Sequence, residues 1–112
     1  GAFPMWLAPQ QIRVLPISEK FEDYARQVLG ELRGAGFRAV IDDASERVNA
    51  KIKVAQEMKV PYMLVVGGRD AEAGTVSVRC RQRGDLGAME REAFIEQARH
   101  EVQTKGQTIV QE

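Results

Sequence analysis

The sequence predicts a single α/β domain on a mixed sheet of four or five strands with three helices, and three observations carry that expectation. Strand and helix character alternate along Ile12 to Ile17, Phe21 to Leu32, Phe37 to Asp42, Arg47 to Met58 and Tyr62 to Val66, an order that folds as three parallel strands with right-handed crossovers. Tyr62-Met63-Leu64-Val65-Val66 is apolar without alternation, as a central strand covered on both faces requires. The loop from there to the alternating segment Thr75 to Arg81 is too short for a crossover, so the fourth strand must run antiparallel to the third.

The opening stretch, Gly1 to Gln10, has two prolines and no period, and reads as an extended linker carrying Phe3, Trp6 and Leu7. Pro16 confines the first strand toward its end. Phe21, Tyr24, Ala25, Val28, Leu29 and Leu32 recur at helical spacing and give the first helix one apolar face. Ser18 is placed to cap it, and Gly34 and Gly36 to let the chain leave it. The second helix presents Val48, Ile52, Ala55 and Met58, with Ser45 as its N-cap. Gly67-Gly68-Arg69-Asp70 reads as a turn and Gly74 as a break. Asp85 to Met89 makes a short edge strand that closes an antiparallel hairpin. A last helix over about Arg91 to Gln103 presents Phe94, Ile95, Ala98 and Val102. The domain is thus expected over residues 11–103, with a polar, frayed tail over 104–112.

A length of 112 residues with 44% hydrophobic and 29% charged content is that of one globular domain rather than a disordered chain. No apolar run approaches the roughly 18 residues of a membrane span, and no signal peptide opens the chain, so a cytoplasmic location without membrane contact is expected. One cysteine, Cys80, and one histidine, His100, can form neither an internal disulfide nor a structural zinc site. Sixteen basic and sixteen acidic residues cancel, which argues against a protein that attracts nucleic acid from every side. The balance is not uniform: Arg47 to Arg83 carries eight basic against three acidic residues, between flanks that are both acidic. Such a stretch locates a candidate binding face.

Catalysis needs a nucleophile, base or metal held by convergent groups, and the sequence offers few candidates. Asp42-Asp43 fits a helix-entry turn, and Gly67-Gly68 lacks the spacing of a phosphate-cradling loop. Cys80 shares a strand face with Val76 and Val78, as a buried thiol does, and His100 lies in a charged helical stretch. The opposite face of that strand is more informative. Thr75, Ser77, Arg79 and Arg81 alternate onto it, and Arg83 joins them if the strand continues. Side chains two residues apart on a strand stand about 7 Å apart, close to the spacing of phosphates along an extended single strand. Arginines there can grip phosphates or bond guanine O6 and N7; they can also simply protect a sheet edge from aggregation. Ser45, Arg47 and Asn49 after the second strand, and Gly68, Arg69 and Asp70 after the third, fall at strand ends where ligands of open α/β sheets bind. Lys51, Lys53 and Lys59 add cations.

Phe3-Pro4-Met5-Trp6-Leu7-Ala8-Pro9-Gln10, Val14-Leu15-Pro16-Ile17-Ser18, Val60 to Gly67, and Ala73-Gly74-Thr75-Val76-Ser77-Val78-Arg79 with Asp85-Leu86-Gly87 are together distinctive. They resemble the C-terminal anticodon-binding domain of threonyl-tRNA synthetase, a class II enzyme, over almost the whole chain. The first of them is similar to that family's FPxWLAPxQ junction after the catalytic domain. The resemblance implies a three-layer anticodon-binding domain that holds the anticodon loop of threonine tRNA against the sheet face. It places Arg79 on the middle anticodon guanine, Ser45, Asn49 and Asp70 on other base edges, and Arg47, Lys51, Arg69 and Arg81 on phosphates. Ser45 stands where the family often has Asn, Asn49 where it often has Gly, and Asp70 where it usually has Glu.

The resemblance further implies a parent that ligates threonine to its tRNA with ATP, using magnesium and zinc, and dimerises through its catalytic domain. This chain would then be an excised, monomeric domain without catalytic residues, metal or cofactor. The alternatives are a non-catalytic accessory or interaction module that binds RNA or protein, and a small-molecule-binding domain with a closed apolar pocket.

Overall fold

The computed structural model describes residues 5–104. Five strands, β1 (Ile12–Pro16), β2 (Ala39–Ile41), β3 (Tyr62–Val66), β4 (Thr75–Cys80) and β5 (Gly84–Glu90), form one sheet in the order β2-β1-β3-β4-β5. β1 pairs parallel with β2 and β3, while β4 runs antiparallel to both β3 and β5, as the connection lengths require. Four helices complete the domain: α1 (Glu22–Gly34), α2 (Val48–Glu57), α3 (Gly68–Ala73) and α4 (Arg91–Gln103).

Strand alternation divides the interior. Ile12, Val14, Tyr62, Leu64, Val66, Val76, Val78 and Cys80 point to one face, where they meet Val28 and Leu32 of α1 and Phe94 and Ala98 of α4. Leu15 and Met63 point to the other, against Ala55 and Ile52 of α2. The layers are therefore α1 with α4, the sheet, and α2. α2 packs on β1 and β3, and on the same side of β4 the short α3 reaches only Thr75 and Ser77, through Asp70, leaving Arg79 beyond both helices.

Several elements depart from expectation for identifiable reasons. Ser18 caps no α-helix: a 3-10 turn, Glu19–Phe21, intervenes, and the serine side chain makes no capping bond. Ser45 is not the cap of α2 either. The helix starts three residues later, after Arg47, because the Asp42 carboxylate accepts the Ala44 N–H at 3.1 Å and fixes the preceding turn. Met58, expected on the inner face of α2, is 47% exposed, since the helix ends at Glu57 and Lys59 takes φ 59° to turn the chain inward at Val60.

Gly67 to Asp70, expected as a turn, instead opens the short helix α3, which Gly74 ends in the left-handed conformation at φ 74°. A Cβ on Gly67 would stand 2.9 Å from Ile17 Cδ1, so that side chain would have to turn aside to admit one. The opening segment is also not extended over its described part. Met5–Leu7 forms a 3-10 turn, and Met5 and Ala8 are buried. The Arg38 guanidinium donates to the carbonyls of Ala8 and Trp6 at 2.9 and 3.1 Å, and the Gln11 amide donates to that of Met5 at 3.0 Å. Leu7 remains 49% exposed, whereas Phe3 and the expected tail beyond Thr104 lie outside the described residues.

Candidate nucleic-acid interface

The uncovered face is centred on β4, whose side chains alternate between half-buried and buried along the strand. Ser77 lies opposite Val65 and Arg79 opposite Met63, so both stand on the α2 side of the sheet but beyond the helix. A bulge between Val78 and Arg79 shifts the register with β5 and brings Asp85 opposite the arginine. Bulges re-aim side chains in this way. The Arg79 guanidinium lies 3.8 Å from the Asp85 carboxylate, with side-chain exposures of 39% and 61%. A pair that long and that wet is worth about 0–1 kcal/mol and leaves the guanidinium free to exchange partners.

Arg81 and Arg83 follow different courses. Arg81 is half-buried just past the strand end, its N–H bonded to the Pro61 carbonyl at 2.9 Å and its Nε shielded without a hydrogen-bond partner. Arg83 does not join the face, because β4 ends at Cys80 and a turn re-aims the chain; its guanidinium lies 3.5 Å from the Tyr62 hydroxyl.

At the other end of β4, Asp70 is 6% exposed and its carboxylate is fully engaged. It accepts the Thr75 hydroxyl at 2.7 Å, the Ser77 hydroxyl at 3.2 Å and the Gly67 N–H at 3.3 Å. The Thr75 carbonyl in turn accepts the Tyr24 hydroxyl at 2.6 Å. Burial pushes the Tyr24 phenol up, with the Arg91 guanidinium opposing, so it keeps its proton for that bond.

A second polar feature lies at the carboxyl ends of β1 and β2. It is a cleft of about 480 Å³ lined by Pro16 to Glu19, Glu22, Asp43 to Arg47 and Lys51. Lys51 is 3% exposed and its ammonium donates to the Pro16 carbonyl at 3.0 Å. An ammonium has three donors, so one bond to the backbone leaves capacity toward the cleft. Ser45 and Arg47 line the same cleft and are exposed, while Asn49 on α2 and Arg69 on α3 are exposed outside it. The cleft also carries Glu19, Glu22, Asp43 and Glu46, and Arg26 bridges Glu22 and Asp43 at 3.2 and 2.9 Å.

The structure therefore gathers Ser45, Arg47 and Lys51 at one site and Arg79 and Arg81 at another. Asp70 flanks the second on the same face through Thr75 and Ser77. The basic stretch is not one basic surface, since its cations divide among a cleft, a strand face and a turn. Sequence reasoning missed the acidic lining of the cleft, for which no spacing signal exists, because the four carboxylates come from two distant segments, the turn and first residue of α1 and the loop before α2. It also missed the Asp70 network, although alternation had already placed Thr75 and Ser77 on the correct face.

Among the described residues, no group of three histidine, cysteine or carboxylate side chains could hold a metal ion, and no helix is long and apolar enough to cross a membrane. A three-layer α/β fold with an uncovered, arginine-bearing strand face defines a binding domain. A family model described as an anticodon binding domain matches residues 11–101, and the chain belongs to that family. It is 53% identical over 105 residues to a threonine–tRNA ligase of Syntrophomonas wolfei, covering 94% of this chain and 16% of that protein. It is 54% identical over 101 residues to the threonine–tRNA ligase of Thermus thermophilus, covering 90% of this chain and 15% of that one.

A crystal structure of the RNA binding domain of threonyl-tRNA synthetase from Cryptosporidium parvum superposes with a TM-score of 0.84 at 34% identity, over 89% of this chain and 25% of that one. The chain thus spans about one-sixth of the length of the curated relatives it matches, and corresponds to their anticodon-binding part rather than to the catalytic one.

Proposed function

We propose that this domain recognises the anticodon loop of threonine tRNA as part of a threonine–tRNA ligase. The supporting observation is Arg79: a half-exposed guanidinium on an open strand, held among the described residues by a long ion pair to an exposed carboxylate. Guanine O6 and N7 replace such a partner with two parallel hydrogen bonds in fixed geometry. The middle anticodon base of threonine tRNA is guanine.

The remaining residues divide by reach. Ser45 and Asn49, both exposed, are available to neighbouring base edges, and Arg47, Arg69 and Arg81 to phosphates. Lys51 serves a phosphate only through the cleft it lines. Asp70, with its oxygens engaged internally, acts on bases from behind rather than by contact. The domain is a monomer on this reading. The ligase activity, its ATP, magnesium and zinc, its dimer contacts and its cytoplasmic location belong to the intact parent.

The test is an NMR titration of the chain with a threonine anticodon stem-loop and with the same loop carrying adenine at the middle base. Amide shifts clustered at Ser45 to Lys51 and Ser77 to Arg81, and lost with adenine, are the expected result. Equal, weak shifts with both loops would reduce the interaction to nonspecific electrostatics and overturn the reading.

A further inference from the structure

We infer that Asp70 is a positioning residue that fixes the hydrogen-bonding polarity of Ser77, so that β4 presents an acceptor beside the donor Arg79 and the pair measures a guanine. The inference rests on the anticodon reading above and deepens it. Asp70 is buried and its carboxylate receives the hydroxyls of both Thr75 and Ser77, at 2.7 and 3.2 Å. A carboxylate only accepts, and a hydroxyl has one proton to give. Once the Ser77 proton is committed to Asp70, only lone pairs of the serine oxygen remain for anything approaching the open face. The hydroxyl, in water either donor or acceptor, becomes an acceptor.

Arg79 is two residues along the strand on the same face, about 7 Å away, roughly the width of a purine, and can only donate. The combination of donor and acceptor distinguishes the bases. Guanine offers acceptors at O6 and N7 and donors at N1 and its 2-amino group, whereas adenine has an acceptor at N1 and no 2-amino group. With Arg79 on O6 and N7, the 2-amino group lies toward the serine oxygen. A free serine would tolerate either polarity, whereas one tied to a buried carboxylate does not. Asp70 itself need not reach the base.

The experiment uses inosine, which is guanosine without the 2-amino group, at the middle position of the stem-loop. For the unaltered chain, inosine is expected to weaken binding about 3- to 10-fold relative to guanosine, the range of one ordinary hydrogen bond. Ser77→Ala should abolish that penalty while preserving discrimination against adenosine through Arg79. Asp70→Ala removes the acceptor and frees the serine proton, so it should also shrink the inosine penalty with Ser77 still present.

A merely structural role for Asp70 would weaken the guanosine and inosine loops by the same factor, leaving their ratio unchanged. That result, or an inosine penalty undiminished in Ser77→Ala, overturns the inference. If Arg79→Ala leaves the preference for guanosine over adenosine intact, the anticodon reading itself falls, and the inference with it.

Discussion

On one face of the sheet, Ile12, Val14, Leu64, Val66, Val76 and Val78 are fully buried beneath α1 and α4, and the rings of Tyr62 and Phe94 meet edge to face at 5.3 Å. On the other, the buried cluster among the described residues is Leu15, Met63 and Ala55, and α2 does not extend over β4, which meets only the short α3. One strand belongs to both regions. β4 sends Val76, Val78 and Cys80 into the larger core and Thr75, Ser77 and Arg79 to the open side. Stability and recognition are thus separated by a single residue step, and adjacent substitutions should fail in different ways.

The largest expected effect tests the buried side. Phe94 is 1% exposed, and Phe94→Ala should lower the free energy of unfolding by about 3–5 kcal/mol, measured by urea denaturation. A cost below about 1 kcal/mol would mean that this face does not hold the domain together.

Arg79→Ala should do the reverse. Its pair with Asp85 is too long and exposed to matter much, so stability should change by no more than about 0.5 kcal/mol. Discrimination between guanine and adenine at the middle anticodon base should fall by about 1–3 kcal/mol in the same titration. If Arg79→Ala unfolds the domain, or Phe94→Ala alters base preference without loss of stability, the two regions are not independent.

That division was partly legible in the sequence, and the limits are physical. The alternation in Thr75 to Cys80 assigns each side chain to its face because a strand has period two. The unbroken run Tyr62 to Val66 places β3 in the centre, and α4 begins at Arg91 and ends at Gln103, as its periodicity implies. What the pattern could not convey were interactions across loops. Lys51 is spaced like a surface cation on α2, yet its ammonium is drawn to the Pro16 carbonyl, 35 residues away in the chain. Asp70 looks like a turn residue until α3 forms, and only that helix turns its carboxylate toward Thr75 and Ser77. The docked segment before β1 depends on Arg38, whose long side chain finds carbonyls that no local rule assigns to it.

A smaller effect sharpens the account of the buried side through pH. The Tyr62 hydroxyl donates to the Glu101 carboxylate at 2.6 Å, and burial together with that bond pushes the phenol above its ordinary value of 10.0. Unfolding exposes a phenol that ionises near pH 10 while the folded one keeps its proton. The unfolded chain therefore binds fewer protons above that pH, and stability must fall as the pH rises. Tyr62→Phe should cost about 1 kcal/mol at neutral pH and flatten this alkaline decline. An unchanged slope between pH 9.5 and 11, roughly the window that brackets a free phenol, would mean that Tyr62 does not carry it.

The smallest expected effect belongs to the cleft and sharpens the open side. Arg47 is exposed at the rim, whereas Lys51 is 3% exposed and bonded to the backbone, and Glu19, Glu22, Asp43 and Glu46 line the same space. Carboxylates at that density repel phosphate, so a cation that projects past them contributes most to RNA affinity. Arg47 meets that condition. Removing one phosphate contact on single-stranded RNA should lower the slope of log affinity against log salt by about 0.7. Arg47→Ala should therefore weaken guanosine and adenosine loops equally, reduce the slope by that amount and leave urea stability unchanged. Binding measured at several salt concentrations checks it. An unchanged slope would remove the cleft from the interface and confine recognition to the face of β4.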